Sequence, residues 1–143
     1  MKRRRQRGAA LVEFALVSGL LCLLLFGIIE MGLLFGDQAL VGAAAREAAR
    51  SAAVGDQVGT ARSHGISGGA GLPLSAANVV LEKSVDGPVL AWQPLGDNGA
   101  YNDAPSNLYL VRATVTYNHP LVTSFIFTGG AKTLTAKQVM RRE

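Results

Sequence analysis

Hydrophobic and polar positions fall into two regimes along this chain. From residue 9 to residue 36 apolar residues follow one another almost without a break, and the only charges are Glu13 and Glu30. As an α-helix rising about 1.5 Å per residue, that stretch is roughly 40 Å long, more than a hydrocarbon core of about 30 Å requires. Residues 9–36 are therefore expected to form a transmembrane helix. Alanine dominates residues 39–54, with Arg46, Glu47 and Arg50 offering a polar side and Gly55 placed as a C-cap. One helix running from about residue 10 to residue 54 accounts for both, with residues 37–55 as its continuation beyond the membrane. Gly42, Ala44, Ala45, Ala48, Ala49 and Ala52 let another helix or a sheet come close, and Gly27, Gly32 and Gly36 offer the same inside the bilayer, where packing between subunits is the favoured use.

The second regime is short-range and alternating. Residues 56–64 suggest a short helix, and the glycine-rich GISGGAG at 65–71 reads as a flexible connector. A strand is expected at 78–84, with Asp86-Gly87 as a turn pair and residues 89–93 returning as its hairpin partner. Residues 94–107, rich in Gly, Asn, Asp and Pro, form a loop. Asp97, Asn98, Asn102 and Asp103 lack the spacing and closing Glu of an EF-hand, so turn chemistry explains them. In residues 108–117, Val111, Ala113, Val115 and Tyr117 fall on one face and Arg112, Thr114 and Thr116 on the other, the alternation of a half-buried antiparallel strand. Pro120 ends it, residues 120–130 make an unusually apolar connection, and 133–141 form the last strand. The fold class is α+β: a long N-terminal transmembrane helix continuing outward, then a small antiparallel β-sheet domain over residues 56–143 packed on its outer end.

Charge changes the picture at the N-terminus. The net charge of +4 and pI near 9.6 would suggest a nucleic-acid partner, but Lys2, Arg3, Arg4, Arg5 and Arg7 all precede Gly8, in a leader with no acidic residue. Without residues 1–8, nine basic residues face ten acidic ones, a net of −1, so no nucleic-acid role is expected. The basicity sets topology instead. The positive-inside bias keeps the N-terminus in the cytoplasm and puts everything beyond residue 36 outside.

The basic leader ends in Gly8 and is followed by four uncharged residues (Ala9, Ala10, Leu11, Val12), then Glu13 and Phe14. That order looks like the type III signal of type IV pilin-like proteins, which is cut before the apolar run. An ordinary secretory signal with Ala43-Ala44-Ala45 as its cleavage site fits less well, because the apolar core is too long and Glu13 and Glu30 interrupt it. A carboxylate in the bilayer costs on the order of 2–4 kcal/mol and usually faces a partner. Cleavage after Gly8 would create one for Glu13, the α-amino group of Ala9 about one helical turn away, within the chain or on a neighbouring subunit. The competing reading leaves Glu13 in the headgroup region beside the leader arginines. Glu30 lies about 25 Å further along the helix, where it is expected to be solvated at the opposite interface.

RGAALVEFALV, continuing through LLFGIIEMGLLFGDQALVGAAAREAARSAAVG, resembles the TadE-like pseudopilins of bacterial tight-adherence (Tad, or Flp) pilus systems. The resemblance is strongest over residues 7–55 and weaker in VRATVTYNHPL and TLTAKQVMRRE near the end. It implies a pilin-like fold, cleavage between Gly8 and Ala9 by a prepilin peptidase, retention in the inner membrane, and a minor role in building an adhesive pilus. It also implies recognition of Glu13 and Phe14 during processing or assembly, with other pseudopilins, pilin subunits, inner-membrane assembly proteins and membrane lipid as partners. The alternative is an uncleaved single-pass adaptor or cell-envelope binding module.

Catalysis is not expected. Cys22 is the only cysteine and sits mid-span, His64 and His119 have no metal-ligand spacing, and no nucleophile triad or phosphate loop is recognisable. No metal or other cofactor is anticipated.

Overall fold

The computed structural model describes residues 2–98, 101–105, 108–122 and 130–143, with residues 2–7 and 9 described in their backbone alone. Helix α1 spans Lys2–Val54 and helix α2 spans Val58–Gly68. After a 3₁₀ turn at Ala76–Asn78 come strands β1 (Val79–Val85), β2 (Gln93–Pro94), β3 (Asp97–Asn98), β4 (Tyr101–Asn102), β5 (Tyr109–Pro120) and β6 (Ala131–Arg141). Four of these form an antiparallel sheet in the order β2-β1-β5-β6, and β3 and β4 pair as a separate ribbon. The α+β architecture expected from the hydrophobic pattern is the one observed. Of the apolar connection at 120–130, residues 123–129 lie outside the described residues.

The core is built on the C-terminal part of α1. Val41, Ala44, Ala45, Ala48, Ala49 and Ala52 are buried to within 1 % of completely. Their spacing of three and four residues draws one stripe along the helix. Val111, Ala113 and Val115 of β5 and Val79 and Leu81 of β1 form the facing layer. Val111, Ala113 and Val115 are inward residues that the alternation in 108–117 marks out, and because the helix contributes mostly methyl groups the sheet lies close against it. In this half of α1 the small residues therefore serve packing within the chain. Gly55, at φ +103°, ends the helix as a C-cap glycine should, with its N–H on the Ala52 carbonyl at 3.2 Å and the Asp56 N–H on that of Ser51 at 3.2 Å. The Arg142 guanidinium lies so close beneath it that a Cβ would approach to 2.7 Å.

Three elements differ from expectation. Helix α1 begins at Lys2 rather than near residue 10, because Lys, Arg and Gln are good helix formers and a single glycine does not stop them. The glycine-rich stretch is not a flexible connector: Gly65 and Gly68 are inside α2, and a Cβ on Gly65 would lie 2.8 Å from that of Ala48. Their missing side chains let α2 approach α1, a use that composition alone does not distinguish from flexibility. Gly65→Val is expected to cost on the order of 1–3 kcal/mol through overpacking, read as a lower midpoint of chemical unfolding. Third, β1 does not return through a two-residue turn. Its partner is Gln93–Pro94, with Lys83 opposite Gln93 and Glu82 opposite Pro94, and residues 86–92 form a loop. Pro88 has no N–H to give a ladder directly after the turn. The longer loop also carries Trp92 over the Arg112 guanidinium, 4.1 Å from the ring centre, while Arg112 holds Glu82 at 2.7 and 2.8 Å.

Candidate functional site: the membrane helix and its junction with the sheet

Between residues 10 and 29 the helix is bare. Every residue in it is exposed except half-exposed Ser18, whose hydroxyl donates to the Ala15 carbonyl at 3.0 Å. Twenty residues of helix span about 30 Å, the thickness of a hydrocarbon core. A lone apolar rod of that length has no counterpart in a water-soluble surface and is suited to a single-pass membrane anchor.

The expected processing residues lie at the start of this rod. Gly8 is exposed, and a Cβ built on it meets nothing within 4 Å. Folding of the chain thus gives no reason for glycine at this position. The backbone of Ala9 is helical, and Glu13 sits four residues, one turn, further on along the same face. Glu13 and Phe14 are both exposed, Phe14 at 71 %, and among the described side chains Glu13 has no ion-pair partner. The structure brings Ala9 and Glu13 together on one face and leaves Gly8 and Phe14 open to other molecules.

Glu30 is the residue on which the expectation fails. Rather than being solvated, it is 7 % exposed, the first buried residue after the bare rod. The ends of β5 and β6 reach back along α1 to cover it. Its Oε1 accepts the Val122 N–H at 3.2 Å and lies 3.5 Å from His119 Nε2, within ion-pair reach but outside hydrogen-bond geometry. His119, 4 % exposed, donates through Nδ1 to Asp37 Oδ2 at 2.6 Å. One imidazole thus stands between two carboxylates two turns apart on the helix. The carboxylates address opposite ring nitrogens, so they do not converge on one point as metal ligands would. The sequence carried a hint of this trio, since Glu30 and Asp37 are seven residues apart and so share a helix face. Nothing in the sequence pairs them with a histidine 82 residues beyond Asp37.

At the other end of the domain the polar loop closes the helices. Asn102, 4 % exposed, donates through Nδ2 to the carbonyls of Ala52 at 2.6 Å and Asp56 at 3.2 Å, covering the end of α1. Asp97 Oδ1 accepts the Val58 N–H at 2.6 Å at the start of α2, where a helix presents unpaired donors. Asp103 binds Lys83 at 2.8 Å and the Gly96 N–H at 3.0 Å. The Lys83 hydrogen bond holds its carboxyl below the ordinary value of 3.8, against a smaller opposing effect of burial. A depressed carboxyl stabilises the fold above its unfolded pKa and stops doing so as pH falls through its folded one. Asp103→Asn is therefore expected to lower stability near pH 7 by about 0.5–1 kcal/mol, a modest figure because water screens this partly exposed pair, with the difference shrinking in parallel urea titrations as pH falls below the ordinary carboxyl value.

Comparison with known proteins agrees with the resemblance at the N-terminus. Residues 8–50 match the family model described as TadE-like protein, a segment that runs from the glycine of the expected cleavage site through most of the alanine stripe. No curated protein and no solved structure matches the chain.

Proposed function

We propose that this protein is a TadE-like minor pseudopilin, a non-catalytic, membrane-anchored component needed to assemble a Tad-type adhesive pilus and processed by a prepilin peptidase between Gly8 and Ala9. The observation that carries the reading is the family match beginning at Gly8, on a helix whose fold makes no demand for glycine there. An external demand remains, and a peptidase that must bring backbone up to its catalytic groups supplies it. Five basic residues on the leader support a cytoplasmic N-terminus, with the sheet domain on the outer side of the inner membrane.

On this reading cleavage makes the α-amino group of Ala9 a cation one turn from Glu13, which neutralises that carboxylate within the chain or on a neighbouring subunit. Gly27 and Gly32 lie in a shallow apolar groove on the bare helix with Leu23, Leu24, Ile28, Met31 and Phe35, where a neighbouring pilin helix can pack closely. Intact-mass measurement of the protein from its native membrane tests the assignment: loss of residues 1–8 is expected, and a full-length mass would point to the uncleaved adaptor. Glu13→Ala separates the two roles of that carboxylate. Membrane insertion should persist while surface adherence fails, and wild-type adherence would return Glu13 to the headgroup region.

A further inference from the structure

We propose that the open edge of β6, with the flank of α1 beside it, is a docking site for an extended, carboxylate-bearing segment of a different protein, added to the sheet as a fifth strand. Hydrogen-bond parity shows which backbone groups the edge offers. The Arg142 N–H donates to the Tyr109 carbonyl and the Leu121 N–H to the Gly130 carbonyl, so the even-numbered residues of β6 are the ones bonded to β5. The odd-numbered ones, from Thr133 to Arg141, turn their N–H and C=O groups to the open side, where β6 ends the sheet. Contacts from outside the ladder agree. Gln38 Nε2 donates to the Thr135 carbonyl at 3.4 Å, and the Glu143 N–H donates to the Ala53 carbonyl at 3.2 Å. Between those two points nothing among the described residues accepts from the N–H groups of Lys137, Val139 and Arg141. Of their carbonyls only that of Val139 is met, by the Gln138 amide at 3.4 Å.

Charge decides what fits there. β6 carries Lys132, Lys137 and Arg141 and no acidic residue, so laying it against a second copy of itself brings like charges together. The opposite edge of the sheet gives a copy no better footing, because β2 is two residues long and Pro94 has no N–H. Helix α1 adds a cation on the open side. Gln38 and Ala53 meet the edge, Gly42 and Ala49 lie between them at helical spacing, and Arg46 stands one turn from Gly42 beside that line. Arg46 and Lys137 are exposed, and neither has an ion-pair partner among the described residues, whereas Arg141 holds Asp86. Glu47, next to Arg46 in sequence, is turned instead to α2, where it lies 3.9 Å from His64. A strand that sets a carboxylate beside Lys137 or Arg46 therefore gains charge attraction on top of main-chain hydrogen bonds, while the same cations turn away copies of this chain. Val139, 41 % exposed and between Lys137 and Arg141 on one face of the strand, offers a place for an apolar side chain next to the carboxylate.

Amide hydrogen exchange, read residue by residue by NMR on the full-length protein in detergent micelles, tests the site with a short synthetic peptide of alternating valine and glutamate as the probe. With peptide at about ten times its dissociation constant, exchange at Lys137, Val139 and Arg141 is expected to slow about tenfold. The same peptide with lysine in place of glutamate should leave those amides fast, and Lys137→Glu should reverse the preference between the two. Val139→Pro removes an edge N–H that the ladder to β5 does not use. It should abolish protection by the acidic peptide while Gln138 and Met140, which pair with β5, keep theirs; Lys137→Glu, an exposed change, carries the test alone if proline unsettles the strand. Fast exchange at all three edge amides up to the solubility limit of the acidic peptide would overturn the proposal. So would equal protection by the acidic and basic peptides. Protection that grows with protein concentration before any peptide is added would assign the edge to a second copy and overturn it as well. None of these outcomes depends on whether the leader is cleaved.

Discussion

Replacing Gly8 with valine is expected to leave the protein folded and inserted but unprocessed, so that an immunoblot of membranes shows the precursor in place of the mature form. The argument rests on the contrast between two kinds of glycine in this chain. At Gly65 an added Cβ meets Ala48 at 2.8 Å, so the fold requires glycine; at Gly8 it meets nothing within 4 Å. Valine at residue 8 costs the helix only a few tenths of a kcal/mol relative to other ordinary residues and removes no contact. Any large effect must arise in an encounter with another molecule. A protease that needs close backbone approach at this position would lose most of its rate, and precursor should exceed mature protein at least tenfold. Normal mature protein from Gly8→Val would refute the cleavage assignment.

The largest effect on stability is expected at His119. His119→Phe keeps a ring of similar shape but leaves the buried carboxylate of Glu30 and the half-buried one of Asp37 without the imidazole between them. Removing one partner of a buried hydrogen bond and leaving the other unmatched typically costs about 1–3 kcal/mol, and more for a charged group, an appreciable part of the 5–15 kcal/mol that holds a small domain together. The loss should be local first. Hydrogen exchange of the full chain in detergent micelles should accelerate at residues 117–122 and 131–134, where the sheet end sits on Glu30, while residues 44–52 keep their protection. Exchange unchanged at the sheet end would show that the trio contributes nothing to holding it down.

What the sequence makes legible divides along the range of the interactions. The long apolar helix, its continuation to Gly55 and strands β5 and β6 follow from runs and alternations local to each segment, and apart from the earlier start of the helix at Lys2 each is where those patterns put it. The candidate cleavage junction is equally local, since Gly8, Ala9, Glu13 and Phe14 lie within two helical turns. The misreadings involve glycine and charge, whose roles depend on what arrives from elsewhere. Gly65 and Gly68 look like slack until α1 leaves no room for a Cβ on either, and Glu30 looks solvated until a strand end about 90 residues later covers it. Asn102 and Asp97 belong with these. Asparagine and aspartate in a loop signal a turn, and only the tertiary structure shows that they turn in order to close the ends of α1 and α2.

Helix α1 contains no proline and its helical assignment is unbroken from Lys2 to Val54, with the sheet docked along its final 24 residues or so. No proline, π-bulge or linker separates the two parts of the described helix. One continuous helix therefore joins the apolar rod to the sheet. Drawing the helix out of the bilayer by one turn lifts the whole domain about 5.4 Å along the same axis, and turning it about that axis swings the face bearing Trp92 and Arg112 through the same angle. On the proposed anchor reading, a partner that held the helix within the membrane would thereby set the height and heading of the sheet domain.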